Sequence, residues 1–314
     1  MYQKIIDAVS KAGSIAIFAH TSPDGDALGS ASALYIALTK AGKDCGLFCD
    51  EPVPRKYQAF PFPFALKPSK KYDLAVAVDC ADLARLGQNA KAFSSHKNTV
   101  NIDHHYTNER FAAINVVEDK SSTAEIVFSL LKELGAEIDA QTAEALFVGL
   151  TADTGSFGHA NINADSFLAA AELVKLGADA PKAAYEVFKK SPLNRTKLLG
   201  KTLSRMRSYL DGKVTLIYTL GTDFAEFGLD KAETEAFVDY AINAEGTLVG
   251  VALCQHSENV YKAGLRSRGA VDVSKVAAHF GGGGHKQAAG CMVSGLFEDA
   301  IEKLLRQIGF ELGE

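Results

Sequence analysis

Carboxylate and imidazole side chains recur where the predicted strands and helices of this sequence end. The set consists of His20, Asp24, Asp26, Asp79, Asp103, His104, His105 and Asp153. Most of them follow a short apolar run typical of a buried strand, whereas Asp153 follows an apolar helical segment. Because ligands of an open parallel sheet bind outside the carboxyl ends of its strands, we expect these side chains to converge in one crevice.

The chemistry that suits such a cluster is divalent metal binding. Aspartates brought together without a compensating charge would repel one another and lose hydration, which is strongly unfavourable. Mixed carboxylate and imidazole ligands suit Mn²⁺, and to a lesser degree Mg²⁺, Co²⁺ or Fe²⁺, whereas the lack of cysteine in the cluster disfavours structural zinc. Since the ligands outnumber what one ion needs, the sequence predicts two ions about 3.5–4 Å apart that share one carboxylate.

Simpler explanations exist for each residue taken alone. An aspartate after a strand usually caps a helix or forms a turn, and Asp24 and Asp26 fit a Pro-Asp-Gly turn. A His-His pair such as His104-His105 is usually a surface feature. The coincidence of these groups at successive element ends is what favours the metal site.

A second cluster near the C-terminus combines arginines with consecutive glycines. It consists of Arg266-Ser267-Arg268 and of Gly281-Gly282-Gly283-Gly284-His285. Glycines let backbone N–H groups approach an anion closely, and the planar arginine fork matches phosphate. The alternative is a flexible turn beside a solvated basic face. At the predicted helix start Ser121-Ser122-Thr123, a phosphate site and a plain helix cap are equally good interpretations.

The elements that would position the first cluster alternate between strands and helices. Predicted strands are Ile15–Ala19, Asp44–Cys49, Leu74–Val78 and Thr99–Ile102; predicted helices are Ala27–Ala41, Ser122–Leu134, Ala140–Leu150, Asp165–Leu176 and Pro181–Phe188. This alternation predicts an α/β fold in which helices cover both faces of a parallel sheet. The proline-rich segment Pro52–Pro63 is predicted to be a surface loop.

The remainder of the chain predicts a helical linker and a smaller mixed α/β domain. Residues 189–209 read as basic and helical without a strand, which places the boundaries at 1–187, 188–208 and 209–314. Beyond the linker, the predicted strands are Val214–Thr219, Thr247–Gln255, Val260–Leu265 and Gly290–Val293, and the predicted helices are Lys231–Ala244, Val273–His279 and Phe297–Ile308.

Composition narrows the class of protein. The 314 residues are 47% hydrophobic and 23% charged, which excludes a mainly disordered chain and fits two domains. A net charge of −5 argues against coating of long duplex DNA, while the basic segment 188–205 suits a small anionic ligand. No apolar run approaches the ~20 residues that span a bilayer, and the N-terminus lacks a secretion signal, so we expect a cytoplasmic protein without membrane partners.

These motifs resemble the DHH phosphoesterase superfamily, which is named for the triplet seen here as Asp103-His104-His105. The resemblance includes the segment from His20 to Asp26, Asp79, and Asp153 within Thr-Ala-Asp-Thr-Gly-Ser-Phe. The arginine and glycine cluster is similar to the DHHA1 domain. Order and length resemble the bacterial nanoRNase group, whose members act as oligoribonucleases and as phosphatases on 3′-phosphoadenosine 5′-phosphate. Some of them also cleave linear or cyclic dinucleotides such as pApA.

The resemblance implies a role for each residue of the two clusters. One metal would be held by His20, Asp24 and Asp79, and the second by Asp26, Asp79, His104 and Asp153. Asp79 would bridge the ions, and His105 would face the reacting phosphate. Asp103 would orient His104 through a hydrogen bond without binding a metal itself. The far phosphate and base of the substrate would be bound by Arg266, Ser267, Arg268, Gly282, Gly283 and His285. His159 is expected as a rim contact only.

The implied activity is hydrolysis by metal-activated hydroxide. The substrates would be short oligoribonucleotides, dinucleotides or 3′-phosphoadenosine 5′-phosphate, with two ions, Mn²⁺ foremost, as cofactors. A manganese-dependent pyrophosphatase or exopolyphosphatase is the enzymatic alternative, and a non-catalytic dinucleotide sensor is the alternative of another class. Whether the chain forms a homodimer is left open by the sequence.

Overall fold

The computed structural model of the protein describes residues 2–313. The chain divides into two compact units, of which the first ends at Lys190 and the second begins at Ser191. Each unit has its own sheet and its own hydrophobic core.

The first unit is built around a parallel sheet. Within the described residues its strands are β1 (Ser14–Phe18), β2 (Asp44–Phe48), β3 (Leu74–Val78), β4 (Thr99–Asp103) and β5 (Ile114–Val117), in the order β2-β1-β3-β4-β5. All neighbours pair in parallel. β3 is buried along its whole length, which explains its unbroken apolar sequence. The short, half-buried edge strand β5 was not predicted.

Helices cover both faces of this sheet. They are α1 (Gln3–Lys11), α2 (Gly25–Lys40), α3 (Ala90–Ser94), α4 (Thr123–Glu133), α5 (Ala140–Asp153), α6 (Ala164–Lys175) and α7 (Ala180–Ala184), followed by a π-helical turn at Tyr185–Lys189. Along β1, Ile15 and Ile17 join one core cluster, whereas Ala16 and Phe18 join another on the opposite face. The predicted fold class is therefore confirmed. α1 and α3 were not predicted.

The second unit carries a mixed sheet. Its strands are β6 (Arg207–Tyr209), β7 (Val214–Thr219), β8 (Val249–Ser257), β9 (Val260–Ser267), β10 (Gly283–His285) and β11 (Ala288–Ser294), in the order β10-β11-β9-β8-β7-β6. β7 and β8 pair in parallel and the other neighbours are antiparallel. The helices are α8 (Leu193–Leu203), α9 (Gly221–Phe227), α10 (Phe237–Ile242), α11 (Val273–His279) and α12 (Phe297–Leu312).

Three sequence-based predictions differ from the structure. The predicted helix Lys231–Ala244 is broken, because Ala236 adopts a left-handed φ of 65° between a 3₁₀ turn (Lys231–Thr234) and α10. The basic segment 188–208 was predicted to be helical without a strand; it contains α8 and the first residues of β6, and Leu198 of α8 is buried in a core cluster of the second unit. The segment Pro52–Pro63 is more than a surface loop, since its Tyr57 and Phe60 are buried.

None of the helices within residues 2–313 combines the length and the apolar character that crossing a bilayer would require.

The closest helix packing in the first unit joins α2 to α5 through glycine. A Cβ atom on Gly29 would lie 2.3 Å from the carbonyl oxygen of Ala145 and 2.8 Å from the nitrogen of Gly149. These neighbours are helix backbone, which cannot move aside without shifting a whole helix. Small residues on α2 therefore set the helix spacing, and this spacing places Asp26 against α4.

We expect Gly29→Ala to destabilise the first unit by about 2 kcal/mol, because overpacking of this kind costs ~1–3 kcal/mol. Gly200→Ala is the matched control: Gly200 lies in α8, and a Cβ atom there meets nothing within 4 Å. That substitution should stabilise the second unit by up to about 1 kcal/mol through helix propensity. Urea unfolding followed by circular dichroism measures both; equal effects of the two substitutions would contradict the packing argument.

Candidate metal centre and active site

The candidate site lies at the carboxyl edge of the parallel sheet, where the strand order reverses. β1 is flanked by β2 on one side and by β3 on the other, so the connections that leave β1 and β3 run in opposite directions. Such a switch point leaves a crevice open to ligands. His20 follows β1, Asp79 follows β3, and Asp103 is the last residue of β4.

The structure brings the predicted ligands into three overlapping groups whose donor atoms lie within 4.8 Å of one another. The groups are His20, Asp24 and Asp79; Asp26, His104 and Asp153; and Asp79, His104 and His105. Asp153 reaches the cluster from the C-terminal end of α5. The spacing allows each group to close around a cation.

Asp79 occupies the centre of the cluster. Its Oδ2 lies 3.6 Å from Nε2 of His20, while its Oδ1 lies 3.7 Å from Nε2 of His104. The residue is buried and adopts a left-handed φ of 59°, a conformation that is uncommon outside glycine, asparagine and aspartate. The two oxygens thus face two different imidazoles, which is the arrangement a bridging carboxylate requires.

The two imidazoles present the same nitrogen to the cluster. Nδ1 of His20 lies 2.7 Å from the carbonyl oxygen of Thr21, and Nδ1 of His104 lies 3.1 Å from that of Lys120. A carbonyl oxygen only accepts, so each Nδ1 carries a proton, and Nε2 is the nitrogen that faces the carboxylates and could bind a metal. Backbone contacts of this type fix the tautomer that a metal ligand needs.

Asp24 and Asp26 stabilise the fold and take part in the cluster. Asp24 caps α2, because its Oδ1 accepts from the backbone nitrogens of Asp26 and Ala27 at 3.0 Å. The carboxylate of Asp26 accepts from the backbone nitrogens of Thr123 (2.6 Å) and Ala124 (2.9 Å) at the start of α4. The backbone N–H groups at the starts of α2 and α4 are therefore already hydrogen-bonded to Asp24 and Asp26.

The start of α4 is a helix cap rather than a phosphate site. Ser122 accepts from the nitrogen of Glu125, and Asp26 takes the two nitrogens in between. Of the two interpretations of Ser121-Ser122-Thr123, the structure favours the cap.

The electrostatics of the cluster reflect crowded, buried carboxylates. Burial and the charges of Asp79, Asp153 and Asp24 raise the pKa of Asp26 well above its ordinary value. Burial is also the main cause that raises the pKa of Asp153 to about 6. Burial opposes ionisation of Asp79 too, but hydrogen bonding to His20 and the charges of the histidines outweigh it and lower its pKa. Such a site gains stability from cations, so the donor set fits divalent metals.

Asp103 contacts a different histidine from the one expected. Its Oδ1 accepts from Nδ1 of His105 at 2.8 Å, whereas His104 is held by the backbone of Lys120. The expectation that Asp103 orients His104 is therefore wrong. The hydrogen bond to Asp103 raises the pKa of His105 to about 9 against the opposing effect of burial. The pair keeps a protonated imidazole beside Asp79.

Two further contacts of the site were not predicted from the sequence. Nδ2 of Asn108 donates to Oδ2 of Asp103 at 2.6 Å, and Oγ1 of Thr123 donates to Oδ1 of Asp79 at 2.8 Å. Asn108 follows the Asp-His-His triplet at short range, which is a weak signal. Thr123 is 44 residues from Asp79, and no local pattern could have connected them.

In the second unit, the predicted binding residues differ in how exposed their side chains are to solvent. Nε of Arg266 lies 3.3 Å from Oδ1 of Asp239, and the exposed Arg268 donates to Oδ1 of Asn243 at 2.7 Å. The hydroxyl of Ser267 points inward and donates to the carbonyl oxygen of Val271 at 2.8 Å. Arg268 thus remains available to a ligand, whereas Ser267 holds the loop that follows β9.

The last two glycines of the run and His285 form the edge strand β10 against β11. A Cβ atom on Gly282 would lie 2.2 Å from the carbonyl oxygen of Gly290, so this position excludes any side chain. At Gly283 a Cβ atom meets nothing within 4 Å, and both Gly283 and His285 are exposed. Part of the run is therefore required by strand packing, and part leaves backbone open to a ligand.

His159 lies at the edge of the first unit's cluster. Its Nδ1 is 3.1 Å from the carbonyl oxygen of Asp153, and its side chain is exposed. This agrees with a position on the rim, and it brings no imidazole nitrogen into the three groups of ligands.

We expect the imidazole of His105 to titrate near pH 9 in the metal-free protein. Because this pKa lies above the ordinary 6.5, the pair with Asp103 contributes stability below pH 6.5 that is lost as the pH rises through about 9. Asp103→Asn should return the midpoint toward 6.5. Imidazole NMR, with His105→Gln to assign the resonance, measures both values. An unchanged midpoint in the Asp103→Asn protein would contradict the proposed cause.

Comparisons with known proteins place the chain in a family. The profile of the DHH family, N-terminal domain, matches residues 14–150, and that of the DHHA1 domain matches residues 211–311. The bifunctional oligoribonuclease and PAP phosphatase NrnA of Thermus thermophilus is 33% identical over 98% of this chain and 94% of its own. The protein of the same name in Bacillus subtilis is 24% identical over 93% of each chain.

A solved structure supports the same grouping. An exopolyphosphatase-related protein from Bacteroides fragilis superposes with a TM-score of 0.86 and 26% identity, covering 98% of this chain and 95% of that one. Both units therefore have counterparts in one relative. The resemblance deduced from the motifs is confirmed: the chain belongs to the DHH family of phosphoesterases, in the nanoRNase group that joins a DHH domain to a DHHA1 domain.

Proposed function

We propose that the protein hydrolyses phosphate esters of short oligoribonucleotides, of dinucleotides such as pApA, or of 3′-phosphoadenosine 5′-phosphate, with two divalent metal ions. The observation that carries the proposal is the buried Asp79, whose two oxygens face the ligand nitrogens of His20 and His104. The names of the relatives, and the nearly complete alignment with them, support the substrate classes.

The proposed ligand sets divide around Asp79. His20, Asp24 and Asp79 would hold one ion, and Asp26, Asp79, His104 and Asp153 would hold the other. Although both oxygens of Asp26 accept backbone hydrogens, each carboxylate oxygen has a second lone pair for a metal. We propose Mn²⁺ as the preferred ion, because mixed carboxylate and imidazole ligands suit it.

When bound, the ions would supply an activated water and neutralise charge on the reacting phosphoryl group. The protein's own contribution includes His105, whose Nδ1 is engaged by Asp103 so that Nε2 is left for the substrate. In the metal-free protein the hydrogen bond to Asp103 raises the pKa of this imidazole to about 9, which favours its protonated form at neutral pH. We propose that it donates a hydrogen bond to a phosphoryl oxygen and thereby stabilises the developing negative charge.

The second unit is proposed to bind the remainder of the nucleotide. Arg268 has an exposed guanidinium that donates to the uncharged amide of Asn243, so its positive charge is not neutralised and is available to a phosphate. The exposed backbone of Gly283 and the imidazole of His285 offer further donors. Arg266 is a weaker candidate for direct contact, because Asp239 already partly neutralises it.

A polyphosphate substrate is the second candidate, since the Bacteroides relative is described as exopolyphosphatase-related. A panel of substrates separates the candidates: pApA, pGpG, 3′-phosphoadenosine 5′-phosphate, short RNA, pyrophosphate and polyphosphate, each with Mn²⁺ and with Mg²⁺. We expect phosphate or mononucleotide release from the nucleotides. Turnover of pyrophosphate or polyphosphate alone would refute the nucleotide proposal, and tight binding without any turnover would favour a sensor.

We expect Asp79→Asn to reduce turnover by at least about 10³-fold, because the bridging charge between the ions is lost. Asparagine tolerates the left-handed backbone of this position, so folding should be retained. Bound metal, counted by elemental analysis after gel filtration, should fall below that of the wild type. The exposed Asp119→Asn is the matched control and should be neutral. Full metal content with full activity in Asp79→Asn would overturn the bridging role.

Arg268→Ala should raise KM for nucleotides by about tenfold and leave kcat within twofold, since a charged hydrogen bond contributes ~1.5–3 kcal/mol. The control is Arg306→Ala, which removes an exposed arginine from α12 of the same unit. Steady-state kinetics of both variants decide the matter. An unchanged KM in Arg268→Ala would show that Arg268 is a solvated surface charge that does not bind the substrate.

A further inference from the structure

An arginine outside the family triplet lies beside the candidate metal site. The 3₁₀ segment Leu83–Asn89 follows β3 and lies against the residue after His20: the backbone nitrogen of Thr21 donates to the carbonyl oxygen of Arg85 at 2.8 Å. The side chain of Arg85 is exposed, and its Nη2 lies 3.4 Å from Nδ1 of His20. The guanidinium thus lies on one side of the His20 ring, and Nε2, the proposed metal-binding atom, lies on the other side.

The backbone that carries Arg85 is fixed on both sides. Asp82 caps the segment by accepting from the nitrogen of Arg85 at 3.0 Å. Gly87 has a φ of 56°, and a Cβ atom there would lie 2.3 Å from Oδ2 of Asp50, which accepts from the nitrogen of Gln88. A Cβ atom on Gly87 would also lie 2.5 Å from Cγ2 of Thr21. The close approach that Gly87 permits therefore holds the segment against residues that follow β1 and β2, so the backbone position of Arg85 is defined by the fold.

The contact between Arg85 and His20 does not satisfy the guanidinium. Nδ1 of His20 is also 2.7 Å from the carbonyl oxygen of Thr21, and one nitrogen cannot both donate to that oxygen and accept from Arg85. When Nε2 serves as a ligand, Nδ1 carries the proton and donates to Thr21. Arg85 then has no acceptor on His20, and its donors are free for a ligand.

Arg85 also lacks the acidic partner that four of the arginines have. Arg195, Arg205, Arg207 and Arg266 each lie within 4.0 Å of a carboxylate oxygen. Across residues 2–313, no such ion pair at this distance involves Arg85. An exposed guanidinium that no carboxylate neutralises attracts an anion.

We propose that Arg85 binds a phosphate of the nucleotide other than the one being hydrolysed. This inference rests on the proposed function. The guanidinium lies on the Nδ1 side of His20, while the carboxylates of Asp24 and Asp79 face Nε2, so it is displaced from the reacting centre by the width of the ring. A bisphosphorylated substrate gains from such a second site, whereas a monophosphate does not.

The test compares two substrates in Arg85→Ala. KM for 3′-phosphoadenosine 5′-phosphate should rise about tenfold, as expected for loss of a charged hydrogen bond, and kcat should stay within twofold. For adenosine 3′-monophosphate, which lacks the second phosphate, both constants should be unchanged. Arg85→Lys should give an intermediate KM, because it keeps the charge but loses the planar fork. The control Lys97→Ala removes an exposed charge at the opposite edge of the sheet and should change neither substrate.

Calorimetry supplies readouts that do not depend on turnover. Adenosine 5′-monophosphate carries only the second phosphate, and we expect its Kd to rise about tenfold in Arg85→Ala while the Kd for Mn²⁺ is unchanged. Equal losses on both substrates, no loss on either, or an altered affinity for Mn²⁺ would overturn the proposal. If the wild type turns over no nucleotide, the proposed function fails, and the Kd for adenosine 5′-monophosphate still decides the role of Arg85.

Discussion

The burial of Asp79 between two histidines is the constraint on which the site depends. A carboxylate removed from water must be compensated, and at Asp79 the hydrogen bond to His20 and the charges of the histidines outweigh the effect of burial. At the neighbouring Asp26 and Asp153, burial and the charges of nearby carboxylates are not outweighed in this way, and the pKa values of both residues are raised. The protein thus maintains an arrangement that is unfavourable by itself and that divalent cations would stabilise.

Several features of the first unit exist to keep that arrangement rigid. Asp26 joins α2 to the first turn of α4, and the contact of Gly29 with α5 sets the distance at which this is possible. Nδ1 of both His20 and His104 contacts a backbone carbonyl oxygen, so Nε2 of each faces the cluster. Asp103 and Asn108 hold His105 at the same edge of the sheet. Preorganisation of this kind leaves little to be rearranged when a substrate arrives.

The two units present different kinds of side chains. The first gathers carboxylates and imidazoles suited to metals, while the second offers the exposed Arg268 and a glycine-rich edge strand suited to an anion. Arg85 modifies this division, because it places a phosphate-binding group within the metal-binding unit itself. In that case the DHH domain would discriminate between substrates by their phosphates as well as cleave them.

The sequence by itself determined the types of ligands and their places at strand ends, because burial makes a strand such as β3 an unbroken apolar run that stops at Asp79. It also predicted the α/β class, because short apolar runs typical of buried strands alternate with segments of helical periodicity. Only the tertiary structure decided that Asp103 holds His105, that Ser267 turns inward, and that Asp26 occupies the start of α4. These contacts depend on how elements up to 98 residues apart pack together, and a local sequence pattern does not contain that information.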